Sequence, residues 1–355
     1  MPDWTRSMKQ TFEFMRVDPL TWMDQEKITD ITQASINRDI NSDTQGSASI
    51  DCDSDLSDIY VRTYLKTTQD GKTERFPLGT HLCETPGRKY DGKRNSMTAD
   101  GYTPLIELKE KPMPYGYSLR KNENIMKWAV SIAREGTRAP VLVDESERTL
   151  QQDFISDVND TKLSFLTDLL SNDNRFLGLD EMGRIIFPVN QDITRLQPVW
   201  TFNDDNSSII LPEMQLTRDL YGVPNVVEVL YSGNDSAPIY VRVENDDKDS
   251  ITSIPSRGRE IVHRDSNPSV AGDNLSEDQI REYAENLLSQ LSALEFVITY
   301  THGFVPYVRI GDCVRLNYTR AGLSNIKAKV IQQQISCTPG CQVQETAVFT
   351  KQLWG

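Results

Sequence analysis

The sequence predicts a mainly β protein with a small α+β insertion, and three observations carry that expectation. Apolar residues alternate with polar ones through the first hundred positions and again through the last sixty. Asp70-Gly71 separates two alternating runs, Asp58 to Leu65 and Glu74 to Leu82, and Asp-Gly supplies the positive φ angles of a tight hairpin turn. After Tyr115 the apolar spacing changes from two to the three or four of a helix.

The elements follow in order. From Lys9 to Cys52 the pairs Phe12/Phe14, Ile28/Ile31, Ile36/Ile40 and Ile50/Cys52 read as short strands, with a first break at Asp18-Pro19. Ile125, Trp128, Ala129, Ile132 and Ala133 share one helical face that ends at Gly136 and Pro140. A second helix starts near Asp160, capped by Asp160 or Thr161, with Leu163, Leu166 and Leu170 inward. Phe176 to Leu179 and Arg184 to Phe187 flank Asp180-Glu181-Met182-Gly183 as another hairpin. Alternation returns at Val227, Val229, Tyr231 and at Ile239, Val241, Val243, whereas Pro255, Gly258 and Pro268 predict an irregular stretch. Ser276 and Gln279 form a capping box for a helix over 276–295, whose stripe is Ile280, Ala284, Leu287, Leu291 and Leu294. Val308 to Ile310, Val314 to Tyr318, Ile326 to Ile335 and Val343 to Leu353 are the closing strands, with Gly311-Asp312 as a turn, and they suggest a small barrel or sandwich.

At 355 residues the chain is long for one core, so two or three packed modules are expected. Hydrophobic residues at 37% and charged residues at 25% argue against wholesale disorder, collagen-like rods and coiled coils. No run approaches the ~18 apolar residues of a membrane span, and Met1 to Arg6 lacks the pattern of a secretory signal. The expectation is a soluble protein made in the cytoplasm, without a membrane partner. Five cysteines in so large a chain do not make a disulfide framework and are read as thiols. The formal charge is -14, and 15 acids face 6 Lys/Arg between Asp204 and Asp278, a sign that repels phosphates and disfavours tight nucleic-acid binding.

Candidate chemistry is sparse. His81, His263 and His302 have no partner at metal-ligand spacing, and the single Glu260-x-x-His263 lacks both a helix and a second copy. Cys337-Thr338-Pro339-Gly340-Cys341 places two thiols at the mouth of a hairpin; zinc needs two further ligands and catalysis needs a base, so half-buried structural thiols are expected, an optional disulfide being the alternative. A Cys313/His302 nucleophile and base is conceivable, but a strand-core cysteine is commoner. No phosphate loop, nucleophile elbow or dinucleotide fingerprint occurs. No catalytic, metal or cofactor residue is therefore assigned. Arg257-Gly258-Arg259, beside the acidic Asp246-Asp247-Lys248-Asp249, marks Arg257, Arg259, Asp246 and Asp247 as candidate contacts between subunits, because a planar guanidinium binds carboxylates bidentately.

Four phrases carry a family resemblance: Arg75-Phe76-Pro77-Leu78-Gly79-Thr80; Tyr102-Thr103-Pro104-Leu105-Ile106-Glu107-Leu108; Asp219-Leu220-Tyr221-Gly222-Val223-Pro224-Asn225-Val226-Val227; and Val308 through Tyr318. They resemble tail proteins of phages that infect Gram-positive bacteria, in the baseplate hub family. That group includes the trimeric central hub of contractile tails and the N-terminal part of tail-associated lysins. The resemblance runs from about Lys9 to Trp354.

The resemblance implies two tail-tube-like β-barrel modules. Residues 1–112 would form the first, 113–195 an inserted α+β module, 196–256 a return to the first barrel with connector strands, and 257–355 the second barrel. It implies a homotrimeric structural hub in the virion tail baseplate that joins the tail tube to the distal tip. Expected partners are the tail tube or a distal tail protein above, tip, spike or receptor-binding baseplate proteins below, and the C-terminus of a tape measure. DNA would pass the channel without specific binding. Lysin activity in such proteins belongs to an appended domain, and the chain ends at Gly355 with no room for one. The alternative is a tail-associated peptidoglycan-degrading enzyme with carboxylates in the Tyr115 to Asn190 module.

Overall fold

The computed structural model describes residues 2–84, 87–90, 92–93, 95–191, 193, 195–232, 237–266 and 276–352. The chain splits into two compact units. Unit 1 takes Met1–Met214 with Thr299–Ala347, and unit 2 takes Gln215–Ile298 with Val348–Gly355. Strands hold 45% of the residues and helices 15%, so the mainly β expectation stands. Among the described residues no helix is long and apolar enough to cross a membrane.

In unit 1 the strands are β1 (Lys9–Val17), β2 (Asp24–Ile28), β3 (Ile31–Asp39), β4 (Gly46–Cys52), β5 (Ile59–Gln69), β6 (Lys72–Glu84), β7 (Arg88–Tyr90) and β8 (Asn95–Tyr102). The helical stretch follows: α1 (Ile106–Glu110), β9 (Ser118–Leu119), α2 (Ile125–Gly136), β10 (Phe154–Ile155), α3 (Lys162–Ser171), β11 (Gly178–Leu179), β12 (Ile185–Ile186) and β13 (Trp200–Asn203). After β14 (Ile210–Arg218), unit 2 contains β15 (Val226–Tyr231), β16 (Ile239–Glu244), α4 (Ile254–Arg257), β17 (Val262–Ser266) and α5 (Glu277–Leu291). The chain closes through β18 (Ala293–Gly303), β19 (Cys313–Tyr318), β20 (Leu323–Ser336) and β21 (Gln342–Gln352).

One antiparallel path runs β20-β3-β4-β8-β6-β5-β1-β2. The β5-β6 hairpin turns on Asp70 and Gly71, both at positive φ (51° and 75°), the mirror-image turn whose twist matches its strands. Strand β20 serves three partners: β21 along one edge, and on the other Cys313 to Tyr318 pair with its first half and Ser35 to Asp39 with Gln332 to Ser336 at its end.

Strand β5 is buried from Tyr60 through Leu65, on both faces, where a sheet exposed on one side would alternate. The reason is the inserted helical stretch. Val17, Trp22 and Tyr60 join its core, built from Leu108, Ala129, Leu166, Leu169 and Ile185, among others. The hairpin between β11 and β12 reaches the sheet through one carbonyl: Met182 O accepts from Trp22 Nε1 at 2.8 Å, Thr80 Oγ1 at 2.9 Å and Arg62 Nη2 at 3.2 Å. Gly183 follows at φ +73°, and a Cβ there would stand 2.7 Å from the Thr80 Cβ, so only glycine fits this approach.

Unit 2 is a three-stranded sheet with β15 central, antiparallel to β16 and parallel to β17. One face is covered by α5, whose Ile280, Ala284 and Leu288 pack on Val227, Val229 and Val241. Three readings need correction. The stretch around Pro255 and Gly258 is not irregular: Pro255 lies in the first turn of α4, Ser253 caps it, Gly258 ends it at φ +62°, and β17 follows. Pro268 lies outside the described residues. Helix α5 is shorter than 276–295, because Ser292 caps it and Leu294 is already in β18, a strand the helical stripe concealed. Finally, Val308 to Ile310 is a turn closed by the Val308 N to Val305 O and Asp312 N to Arg309 O bonds, not a strand.

Candidate functional site

The four residues predicted to meet another subunit all lie in unit 2. Arg257 closes α4, and its guanidinium donates to Val223 O and Leu220 O, each at 2.8 Å. It thereby clamps the 219–224 loop, whose turn residue Gly222 has φ +76°. Arg259, Asp246 and Asp247 are exposed. Arg259 O accepts from the buried Asn225 side chain, and Asp247 Oδ1 from Asp249 N. Backbone contacts thus hold both loops while these three side chains face outward. Glu260 pairs with Arg242 at 2.8 Å, and His263 stands on β17, a strand rather than a helix.

Unit 1 holds a buried polar chain that spacing could not reveal. Glu345 is 0% exposed and accepts from Tyr300 Oη, from Gln333 Nε2 at 2.8 Å and from His302 Nε2 at 3.3 Å. His302 Nδ1 reaches Gly303 O at 2.7 Å, so both ring nitrogens are committed and none is left for Cys313. Gln333 also donates to Val308 O and accepts from Arg38 Nη1 at 3.0 Å, and Arg38 Nη2 donates to Leu78 O at 2.7 Å. A carboxylate inside a sheet needs this many donors to offset its desolvation.

Beside this chain opens a cavity of about 320 Å³, lined by Arg38, His81, Phe176, Ile186, Ile310 and Asp312, among others. Burial raises the Asp312 carboxyl to about 6, although Arg309 N donates to it. The folded state therefore holds its proton more tightly than the unfolded chain does, and stability contributed by this group falls as pH rises from about 4 to about 6. Asp312→Asn should flatten the dependence of Tm on pH across that window. A slope unchanged in the variant would assign it to other groups.

Cys337 and Cys341 are free thiols and fully buried rather than half-buried, because Cys337 N is tied to Ala34 O and Phe304 N to Cys341 O. Burial pushes the Cys337 thiol up to about 12 and Cys341 higher, so neither is a ready nucleophile. In the Tyr115 to Asn190 module five of the twelve acids form ion pairs: Asp144 with Arg175, Asp173 with Arg148, Glu135 with Lys162, Asp180 with Arg184 and Glu181 with Arg309. The Asp168 carboxyl is raised by burial and by Asp160 and Asp157.

The architecture has counterparts among solved structures. A tail protein from Neisseria meningitidis MC58 superposes with a TM-score of 0.60 at 14% identity, over 96% of this chain and 97% of that one. The chain has a tail-protein fold. The same fold occurs in the 43 kDa tail protein of prophage MuSo2 from Shewanella oneidensis, with TM-score 0.58, 12% identity, and 95% and 98% of the two chains covered. A chain of the Francisella PdpA-VgrG complex also superposes, at TM-score 0.51 and 11% identity, over 96% of this chain and 58% of that one. No protein-family model matches the sequence, and no curated protein matches it. With identities this low, the tail-protein fold is a likeness of backbone only.

Proposed function

We propose that the chain is a structural hub subunit of a phage tail tip or baseplate, a homotrimer that joins the tail tube to the distal tip and surrounds the path of the DNA. The observation that carries this reading is the extent of the fold match, which spans nearly the whole of this chain and nearly the whole of a tail protein. A likeness confined to one unit would fit a shared module; an end-to-end likeness fits a shared role. The formal charge of -14 supports a channel that does not hold DNA, because each Lys or Arg facing a phosphate releases counterions and tightens binding. The tail tube or distal tail protein would sit above, tip, spike or receptor-binding proteins below, and a tape measure could end against it.

Native mass spectrometry of the purified protein, alone and mixed with neighbouring tail proteins, tests this: the expected mass is three chains, with further subunits added from the mixture. A stable monomer in both samples, or a cryo-EM ring lined by Lys and Arg, would overturn it. A zymogram on host cell walls should show no lysis band.

Within that reading Arg259, with Asp246 and Asp247, makes ion pairs with a neighbouring subunit, and Arg257 braces the loop behind it. Arg259→Ala should weaken trimer assembly at physiological salt by roughly tenfold or more while leaving the monomer within about 0.5 kcal/mol of wild type. Arg257→Ala, which removes two charge-assisted bonds to carbonyls, should destabilise unit 2 by about 1.5–3 kcal/mol. Sedimentation and urea unfolding measure the two effects separately, and equal assembly by wild type and the Arg259 variant would remove that residue from the interface.

A further inference from the structure

The cavity in unit 1 brings together two groups whose valences the fold leaves incomplete. Among the described residues Arg38 forms no ion pair; its guanidinium donates to the neutral oxygens of Gln333 and Leu78. Gln333 stands between it and Glu345. Glu181, the carboxylate whose field most favours the Arg38 charge, is bound to Arg309 at 2.5 Å. His81 is 3% exposed and lines the same cavity, and its Nδ1 has no hydrogen-bond partner. Burial, then the nearby Arg38 charge, hold His81 down to about 4, so its ring is neutral and carries one N–H. A half-buried cation whose own hydrogen-bond partners are all neutral and a ring nitrogen without a partner each cost free energy that one occupant could recover.

The rest of the lining limits what that occupant is. Ile36, Leu78, Phe176, Ile186 and Ile310 form apolar walls, which suit a hydrocarbon body. Asp180 and Glu181 are neutralised by Arg184 and Arg309, and Asp312, ionised above about 6, offsets one of the two remaining cations, Arg38 and Lys329. A single negative charge is therefore favoured over the two of a phosphate ester. A planar carboxylate matches the guanidinium fork, and its second oxygen can accept from an imidazole N–H. The volume of about 320 Å³ lies at the low end of small-molecule sites, enough for one ring or a short chain.

We propose that this cavity binds an organic monocarboxylate with an aromatic or short aliphatic body, its carboxylate held by Arg38 and His81. The site lies within one unit of one chain, so the loss of trimerisation would leave it intact; only a polypeptide source for its occupant rests on the hub reading. The carboxylate has two possible sources, a free acid or an acidic side chain or C-terminus of a neighbouring tail protein.

The test uses the full chain and 4-bromobenzoate, with 4-bromobenzyl alcohol and 4-bromobenzylamine as controls of the same size. Titration calorimetry should show saturable binding of the acid at least tenfold tighter than either control, and the bromine anomalous signal should fall among the apolar walls with the carboxylate at Arg38. Because Arg38→Gln also loses the bonds to Leu78 and Gln333, a second variant, Ile186→Phe, narrows the apolar end and leaves Arg38 in place; it should lose acid binding with Tm changed by only a few degrees. Acid binding no tighter than alcohol binding, or bromine outside the cavity, overturns the proposal. A cryo-EM map of intact tails separates the sources: isolated density in the cavity means a free acid, and density continuous with a neighbouring acidic residue means a polypeptide carboxylate. A lysine or arginine there, or an empty cavity, overturns both.

Discussion

Replacing Arg62 by Met is expected to destabilise unit 1 by about 2–3 kcal/mol, the cost of removing the charge-assisted bonds of a buried guanidinium. Arg62 is 1% exposed, the largest fully buried side chain among the described residues. Its Nη1 pairs with Asp24 at 2.7 Å, its Nε donates to Thr80 Oγ1 at 2.8 Å, and its Nη groups reach Trp22 O and Met182 O. Methionine fills much of the volume but leaves Trp22 O without its donor and removes one donor each from Asp24, which keeps Tyr64 Oη and Arg75 Nη1, and from Met182 O. Arg62→Lys should rescue little, since a single ammonium cannot span that fork. The denaturant midpoint gives the size of the effect, and hydrogen exchange at residues 180–183 should rise first, because Met182 O is the point where the hairpin is held. A variant with unchanged midpoint and unchanged exchange would show that packing alone docks the inserted stretch.

Glu345→Leu is expected to cost about 3–5 kcal/mol, by stranding Tyr300 Oη, His302 Nε2 and Gln333 Nε2 inside the sheet. Glu345→Gln keeps an acceptor and should cost less, about 1–2 kcal/mol. The Tyr300 hydroxyl sits well above its ordinary pKa, through burial and then the adjacent carboxylate, so it stays a proton donor across the whole working range. Unfolding curves of the two variants decide the matter: if Leu were tolerated better than Gln, the carboxylate would be a liability of the sheet and the network would have another purpose.

Local signals were legible and distant ones were not, for a physical reason. Asp70-Gly71 can be read because turn geometry is decided by two adjacent residues, and both adopt the positive φ that Asp-Gly permits. Ser276 and Gln279 can be read because a capping box closes within one turn, and both its bonds are made. Leu294 misled because its spacing from Leu291 continues a helical stripe, yet Leu294, Phe296, Ile298, Tyr300 and His302 are buried alternately, a strand pattern present in the letters all along. His302 read as a lone histidine because its carboxylate stands on another strand, β21. The grip of Arg62 on Met182 crosses 120 positions, and no spacing rule spans that. Arg259, Asp246 and Asp247 are exposed, whereas the clamp from Arg257 to Leu220 and Val223 depends on how α4 folds back.

The pairing of β20 with β3 sets the order of events on the ribosome. Strands β3 to β8 can form hairpins as soon as they emerge, but the outer edge of β3 stays bare until Gln332 to Ser336 are synthesised, nearly three hundred residues later. Until then the nascent chain carries an open strand edge, the kind of surface that templates aggregation. Truncated products that stop before β20 would keep that edge permanently, so a cell making this protein would have to hold or degrade its incomplete chains.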